Sequence, residues 1–387
     1  MYKLVMPPLP IETPEVLFDV SRLFRNRNRS FATGVDRIDL AIGLNLLRRF
    51  RARCHFLHVG PLGNAVLPHR LGIGLLVHLD ANWNRGKSRM LPRSLAGEPL
   101  FRAIIPGRLK RIINSQTTYV VASHSGLGKV KGGLRRLDPE QAMRRLIYLH
   151  DIIPLEAPEY QRPGARDAFE SYLNELTDAP LTVASNSRDT DNRVQLLAAR
   201  SGWQVENFLV RIPTIERMAR TSRPPRAEVA AYLADPRPFF AIIGTIEPRK
   251  NHLLLLNLWR QLAWEGIEMP RLCIIGKRGW ENENILDMLD RCEAIQESVQ
   301  EFGTLDDHEV QSLIQCSRAL LFPSFIEGLG LPLLEAAALD VPCITSDIPV
   351  FREIAPPGTI FLDPLDGPGW KRAIMEKAKD ARVGEQV

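Results

Sequence analysis

The run Phe322–Glu335, FPSFIEGLGLPLLE, sets two glutamates, Glu327 and Glu335, eight positions apart across a glycine-rich loop. Gly328 and Gly330 flank Leu329 and let the backbone approach a ligand closely. Pro332 reads as the opening of a helix, whose free N–H groups and positive dipole end suit an anion. Carboxylates accept hydrogen bonds from paired hydroxyls, so anion and polyol recognition stand side by side. Near the helix start, Glu335 is placed to take both hydroxyls of a ribose, which leaves Glu327, on the loop, for a second polyol. Complementing the helix dipole is the plainer role for Glu335.

A second group lies in Ile243–Asn251, IGTIEPRKN, between an apolar strand and an amphipathic helix. Arg249 and Lys250 stand at the helix mouth, where cations oppose the dipole, so a bound diphosphate would supply the missing compensation. Pairing with Glu247 on an exposed face is the alternative.

His150 and Asp151 end the strand RLIYLHD, before the proline-broken IIPLEAPEY. Such a histidine either points into a cleft or is satisfied by neighbouring backbone, and without further histidines the pair is weak evidence for a metal. The D-x-D at Asp189–Asp191 could hold a divalent cation on a diphosphate. Following VASNS, it reads better as a first helical turn capped by Asn186 or Ser187. Thr33-Gly34-Val35 resembles a glycine turn entering a helix whose Ile38, Ile42, Leu46 and Phe50 form one apolar stripe. Arg48, Arg49, Arg51 and Arg53 cluster at its far end, where they suit the dipole or an anionic lipid.

The elements that must hold these residues follow from the periodicity. From Pro238 onward short apolar runs (FFAIIG, LCIIG, VQEFG, ALLFPS, PCITS, TIFLDP) alternate with amphipathic stretches, the pattern of βα units around a parallel sheet. The first half offers VLFDV, CHFLHVG, TYVVASH, RLIYLHD and LTVAS as strands, with helices over 35–50 and 165–177. Residues 212–237 read as a helix between irregular connections. The expectation is an α/β chain of two Rossmann-like, doubly wound domains, 1–214 and 215–387, facing across a cleft at the carboxyl ends of their strands.

Composition narrows the classes. With 387 residues, 45% hydrophobic, the chain can bury more than one core and is not a disordered protein. The first twenty residues do not read as a cleaved signal, and no run approaches the roughly 18 apolar residues of a membrane span. Five widely spaced cysteines argue against a disulfide framework or a zinc site, which suggests a reduced, cytoplasmic setting. Residues 1–150 carry 25 Lys and Arg against 9 Asp and Glu, whereas the remainder carries 25 against 36. That asymmetry turns the first half towards something anionic, such as a membrane leaflet, or merely gives it a solvated basic surface.

The segments TGVDRIDLA, YVVASHSGL, HDIIPLEAPEY, VASNS, GTIEPRKN and EGLGLPLLEAAALDVPCITSDIPVFREIA together resemble the retaining glycosyltransferases of GT-B fold called family 4, or group 1, and most closely their mannosyltransferase-like members. By that resemblance Lys250 and Arg249 would contact a donor diphosphate and Glu335 the ribose. Glu327, with the backbone of Gly328, Leu329 and Gly330, would meet the transferred sugar. His150 would line the sugar site from the other domain, and Gly34 would approach the donor phosphate or the acceptor. Thr245 stands where many relatives carry arginine, which throws the phosphate onto Arg249 and Lys250.

The resemblance implies no metal and no cofactor beyond the donor, a nucleotide diphosphate sugar with GDP-mannose favoured. The acceptor would be a growing, lipid-linked glycan, and the protein would sit in the cytoplasm, peripherally at the inner leaflet. Two other readings stand beside it. One is an epimerase or phosphorylase on the same fold. The other is a basic nucleic-acid module using residues 22–53 and 102–145, against which aromatics are sparse and no RNA-binding motif occurs.

Overall fold

A computed structural model describes residues 2–29, 31–60, 63–84, 111–124, 127, 133–217 and 224–380. Residues 30, 102–110, 125, 126 and 128–132, which belong to the basic stretches and to YVVASHSGL, lie outside the described residues, as do 218–223 of the connection. The chain divides into two compact units, one of residues 4–158 and 163–214, the other of 1–3, 159–162 and 215–387.

The first unit is built on a seven-stranded sheet. Its strands run in the spatial order Gly63–Leu67, Cys54–Gly60, Glu15–Asp19, Thr117–Val121, Arg144–Leu149, Leu181–Ser185, Val205–Val210. All neighbours are parallel except the hairpin of the first two. Every residue of Thr117–Val121 is buried, as expected of a central strand covered on both faces. Ile38, Ile42, Leu46 and Phe50 of the helix Gly34–Phe50 are at most 5% exposed, so the apolar stripe is core. Gly43 on that helix lets it lie close to the sheet: a Cβ there would stand 2.7 Å from the Phe18 ring. The strands Gly63–Leu67 and Val205–Val210 escaped the sequence reading because they are edge strands, and Val205–Val210 is only partly covered.

The second unit carries a six-stranded, wholly parallel sheet in the order Val299–Phe302, Arg271–Ile275, Phe239–Ile243, Leu320–Phe322, Cys343–Ser346, Ile360–Leu362. Helices cover both faces, and the largest buried side chains also satisfy their polar ends. The indole of Trp259 donates to Pro270 O at 2.8 Å, and that of Trp370 to Asp363 O at 2.9 Å.

In each unit the order of the first six strands reads 3-2-1-4-5-6, the doubly wound arrangement, so the first and fourth strands are neighbours. Connections leave these two strands in opposite directions, which opens a crevice beyond their carboxyl ends. The chemistry-bearing residues gather there in both units.

Candidate active site

In the second unit the first strand, Phe239–Ile243, ends at Gly244, whose φ of 145° excludes ordinary side chains. A Cβ at Gly244 would stand 3.2 Å from Lys250 Cε, and one at Gly276 would stand 1.8 Å from the Gly244 carbonyl oxygen. Two glycines thus fold the loop tightly onto itself. It continues through Glu247 and a 3-10 turn, Pro248–Lys250, to Asn251, whose φ of 56° turns the chain into the helix His252–Trp264.

The fourth strand, Leu320–Phe322, leads into Ser324, Phe325, Ile326 and Glu327, then through Gly330 at φ 97° into the helix Leu331–Ala338, with Pro332 in its opening positions. The two loops are stitched by the Phe325 N–H donating to Arg249 O at 2.9 Å.

At their meeting point Glu327 is buried, 6% exposed, and held by both cations. Arg249 donates from one guanidinium nitrogen to Glu327 Oε2 at 2.7 Å and to Ile326 O at 3.2 Å, and another of its nitrogens lies 2.7 Å from Glu247 Oε1. Lys250 Nζ donates to Glu327 Oε1, which also accepts the Ser324 hydroxyl at 3.0 Å. Lys250 lies over the Phe322 ring, 4.7 Å from its centroid.

Burial pushes the Glu327 carboxyl up, but Arg249 and Lys250 outweigh it and bring it down to about 2. Burial lowers Lys250, and the attraction of Glu327 only partly restores it. Two acids and two bases form a nearly neutral quartet, buried except for part of Arg249, with an ionised carboxylate at its centre.

Arg249 therefore does pair with Glu247, as the alternative reading allowed, and reaches Glu327 as well. Gly328, Leu329 and Gly330 are buried beside this group. Glu335, fifth in the helix that Leu331 opens, is buried at 7% exposure and faces no bulk solvent.

In the first unit Gly34 is exposed and is the first helical residue, not part of a preceding turn. Thr33 and Asp36 close a capping box around it: the Asp36 N–H donates to Thr33 Oγ1 at 3.3 Å, and the Thr33 N–H to Asp36 Oδ2 at 3.0 Å. Arg22 and Asn26 also donate to Asp36 Oδ1, at 2.7 and 2.8 Å.

His150, just past the strand Arg144–Leu149, has Nε2 2.6 Å from Ala122 O, so neighbouring backbone satisfies it. Asp151 accepts from the Ile153 N–H at 3.0 Å. Asp189 pairs with Arg193 at 3.2 Å and Asp191 accepts from Gln195 at 2.7 Å, while Ser187 caps their helix by accepting from Thr190 N at 3.0 Å. Among the described residues no group of three or more metal-binding side chains gathers, and no helix is long and apolar enough to cross a membrane.

Four participants were missed or undervalued in sequence. In sequence Glu247 reads as a partner on an exposed face, yet it is 2% exposed. Ser324 carries no signal beyond standing three residues before Glu327. Asp39, 2% exposed, and Ser123, 5% exposed, are buried polar side chains that only the packing reveals, although an aspartate beside the apolar stripe at Ile38 was a legible oddity.

Residues 228–377 match the family model for glycosyl transferases group 1. Serotype-specific mannosyltransferase WbdA of Escherichia coli is 32% identical over 215 residues, which is 54% of this chain and 26% of WbdA. O-antigen chain mannosyltransferase B of Escherichia coli is 27% identical over 252 residues, 62% of this chain and 63% of that protein. The matches thus span about a quarter of WbdA and under two thirds of mannosyltransferase B. The solved structure of sucrose-phosphate synthase from Thermosynechococcus elongatus superposes with a TM-score of 0.56 at 17% identity, covering 94% of this chain and 89% of that one. The fold is GT-B, with two Rossmann-like domains, and the chain resembles group 1 glycosyltransferases, mannosyltransferases among them.

Proposed function

Starting from the group 1 glycosyltransferase segment at residues 228–377, we propose that this protein transfers a hexose, mannose by preference, from a nucleotide diphosphate sugar to a growing, lipid-linked polysaccharide with retention of anomeric configuration. GDP-mannose is the favoured donor. The observation that carries the reading is the clamp on Glu327 by Arg249 and Lys250 at the carboxyl ends of the two switch-point strands.

A carboxyl held near 2 is ionised at neutral pH. It cannot donate a proton to a leaving group, but its negative charge suits a sugar carbon that becomes positive as the donor bond breaks. Arg249 and Lys250 sit where the departing diphosphate gathers charge, and the opening of the helix Leu331–Ala338 adds N–H donors. Glu335 would take the ribose, the backbone of Gly328 to Gly330 and His150 the sugar, and Gly34 the donor phosphate or the acceptor.

The test is transfer of labelled sugar from GDP-mannose to a lipid-linked acceptor, compared with UDP-, ADP- and dTDP-linked sugars. Lys250→Ala should lose roughly 10²- to 10³-fold in rate, as other preorganised charge contacts do. Full turnover in that variant, or release of isomerised sugar instead of transfer, would sink the reading. The basic first half is proposed to rest on an anionic leaflet, at about 1 kcal/mol per basic residue near the surface. Sedimentation with vesicles containing phosphatidylglycerol should then fall as salt rises, and binding indifferent to salt and lipid charge removes the idea.

A further inference from the structure

Residues 159–162, from the first half of the chain, belong to the second unit. Within them Tyr160, the last residue of the 3-10 turn Pro158–Tyr160, reaches two loops of that unit at once. Its ring lies parallel to that of Phe325, with 3° between the planes and 5.7 Å between the centroids, the offset stack that aromatic pairs favour. Its carbonyl oxygen accepts the Trp280 indole N–H at 3.1 Å, and the Arg162 guanidinium lies 4.9 Å from the centroid of the same indole.

Both loops lead to the ionic group. Phe325 stands between Ser324 and Glu327, and its N–H is the donor to Arg249 O at 2.9 Å. Trp280 follows Gly279, whose N–H donates to Ile246 O at 3.0 Å, while the Ile246 N–H donates to Lys277 O at 2.8 Å and the Asn282 amide to Ile246 O at 2.8 Å. The Trp280 loop is therefore fastened to the loop that runs on through Glu247, Arg249 and Lys250. Phe325 is only partly buried, and among the described residues neither apolar core of the second unit includes it. At this point of the loop the ring of Tyr160 supplies packing that the core does not.

We propose that Tyr160 is a positioning residue: by stacking on Phe325 while its carbonyl holds Trp280, it keeps the loop of Glu327 in register with the loop of Arg249 and Lys250. The ring does this, and the phenol hydroxyl is not needed. Such a contact matters without touching the reacting atoms, because a displacement of about 1 Å in a positioned group can cost about 100-fold in rate. The inference deepens the glycosyltransferase reading and rests on it for the reaction affected, while the order of the loop is read with no donor present.

The experiment has two arms on the full chain. In the first, hydrogen–deuterium exchange is followed over residues 323–327. Tyr160→Ala should exchange there about 3- to 10-fold faster than wild type, the strand Leu320–Phe322 should be unchanged, and Tyr160→Phe should match wild type. Wild-type exchange in Tyr160→Ala overturns the proposal, and so does an acceleration shared by the whole second unit, which marks a structural residue only. Should Tyr160→Ala not fold, Tyr160→Leu keeps an apolar side chain without the stack and carries the same comparison.

In the second arm, sugar transfer by Tyr160→Ala should fall about 10- to 100-fold in kcat with donor KM little changed, and Tyr160→Phe should keep the wild-type kcat. Adding Tyr160→Ala to Phe325→Ala should cost nothing further, because the two rings act as one unit. An unchanged kcat in Tyr160→Ala, a loss in Tyr160→Phe or additive losses in the double variant overturn the proposal. If wild type transfers no sugar at all, the functional reading fails, and the exchange result alone decides whether Tyr160 orders the loop.

Discussion

The two switch points occupy equivalent places in their sheets and are built by opposite means. In the second unit the crevice is lined by full charges: Glu247, Glu327 and Lys250 are buried, Arg249 is partly buried, and the four compensate one another. In the first unit the same position holds a ring on a backbone carbonyl and a carboxylate on a serine hydroxyl. The ionic site is suited to trade partners with an incoming anion, since both cations already sit on a carboxylate. The first unit's site has fewer charged groups and more hydrogen-bonding ones, an arrangement in which orientation matters more than charge. One topology thus carries two different arrangements of polar groups, and the difference lies in the loops.

The sharpest way to break this comparison is to remove one charge. Glu327→Ala should destabilise the second unit by about 3–5 kcal/mol, because it leaves buried Lys250 and partly buried Arg249 without their shared carboxylate. His150→Ala should cost the first unit only about 1 kcal/mol, the worth of an ordinary hydrogen bond. Urea titration of both variants checks the contrast, and equal losses would refute it. Gly330→Ala should fall between, at roughly 1–3 kcal/mol, since its φ of 97° is closed to alanine and the new Cβ would lie 2.9 Å from Phe351. A Gly330→Ala chain as stable as wild type would show that the loop relaxes freely.

The smallest effect is graded with pH. His124 and His252, held down to about 4 and about 3 chiefly by burial, are neutral when folded. Their contribution is complete above the ordinary histidine value of 6.5 and is lost as pH falls from there. Glu327 adds a second loss below the ordinary 4.5, running down towards its folded value of about 2. The urea midpoint should therefore start to drop below pH 6.5 and steepen below 4.5, and Glu327→Gln should steepen less, since Asp36, Asp235 and Glu309 are also held low and remain. The same profile in both chains would show that the ionic clamp contributes nothing to the acid response.

Much of this was legible before any coordinates. FFAIIG, LCIIG, ALLFPS and PCITS are short continuous apolar runs with helical stretches between them, and parallel strands buried on both faces can be written in no other way. The apolar stripe of Ile38, Ile42, Leu46 and Phe50 names its own buried face, and a cap at Asn186 or Ser187 was legible from the acids that follow, with Ser187 filling it. Gly34 was harder: a glycine before a helix reads as a turn, but Thr33 and Asp36 enclose it in the helix itself. His150 was open between two readings, and only the fold shows its Nε2 2.6 Å from the backbone oxygen of Ala122, 28 residues earlier.

The sequence by itself determined which residues alternate, where strands stop, which loops carry glycine and which carry charge, because these are properties of neighbours along the chain. Only the tertiary structure decided that Lys250 and Arg249 share the carboxylate of Glu327, 77 and 78 positions away, or that Asp39 meets Ser123 across 84. Those pairings depend on which two strands lie side by side, and strand order is fixed by packing helices on both faces of a twisted sheet, a condition no local pattern contains.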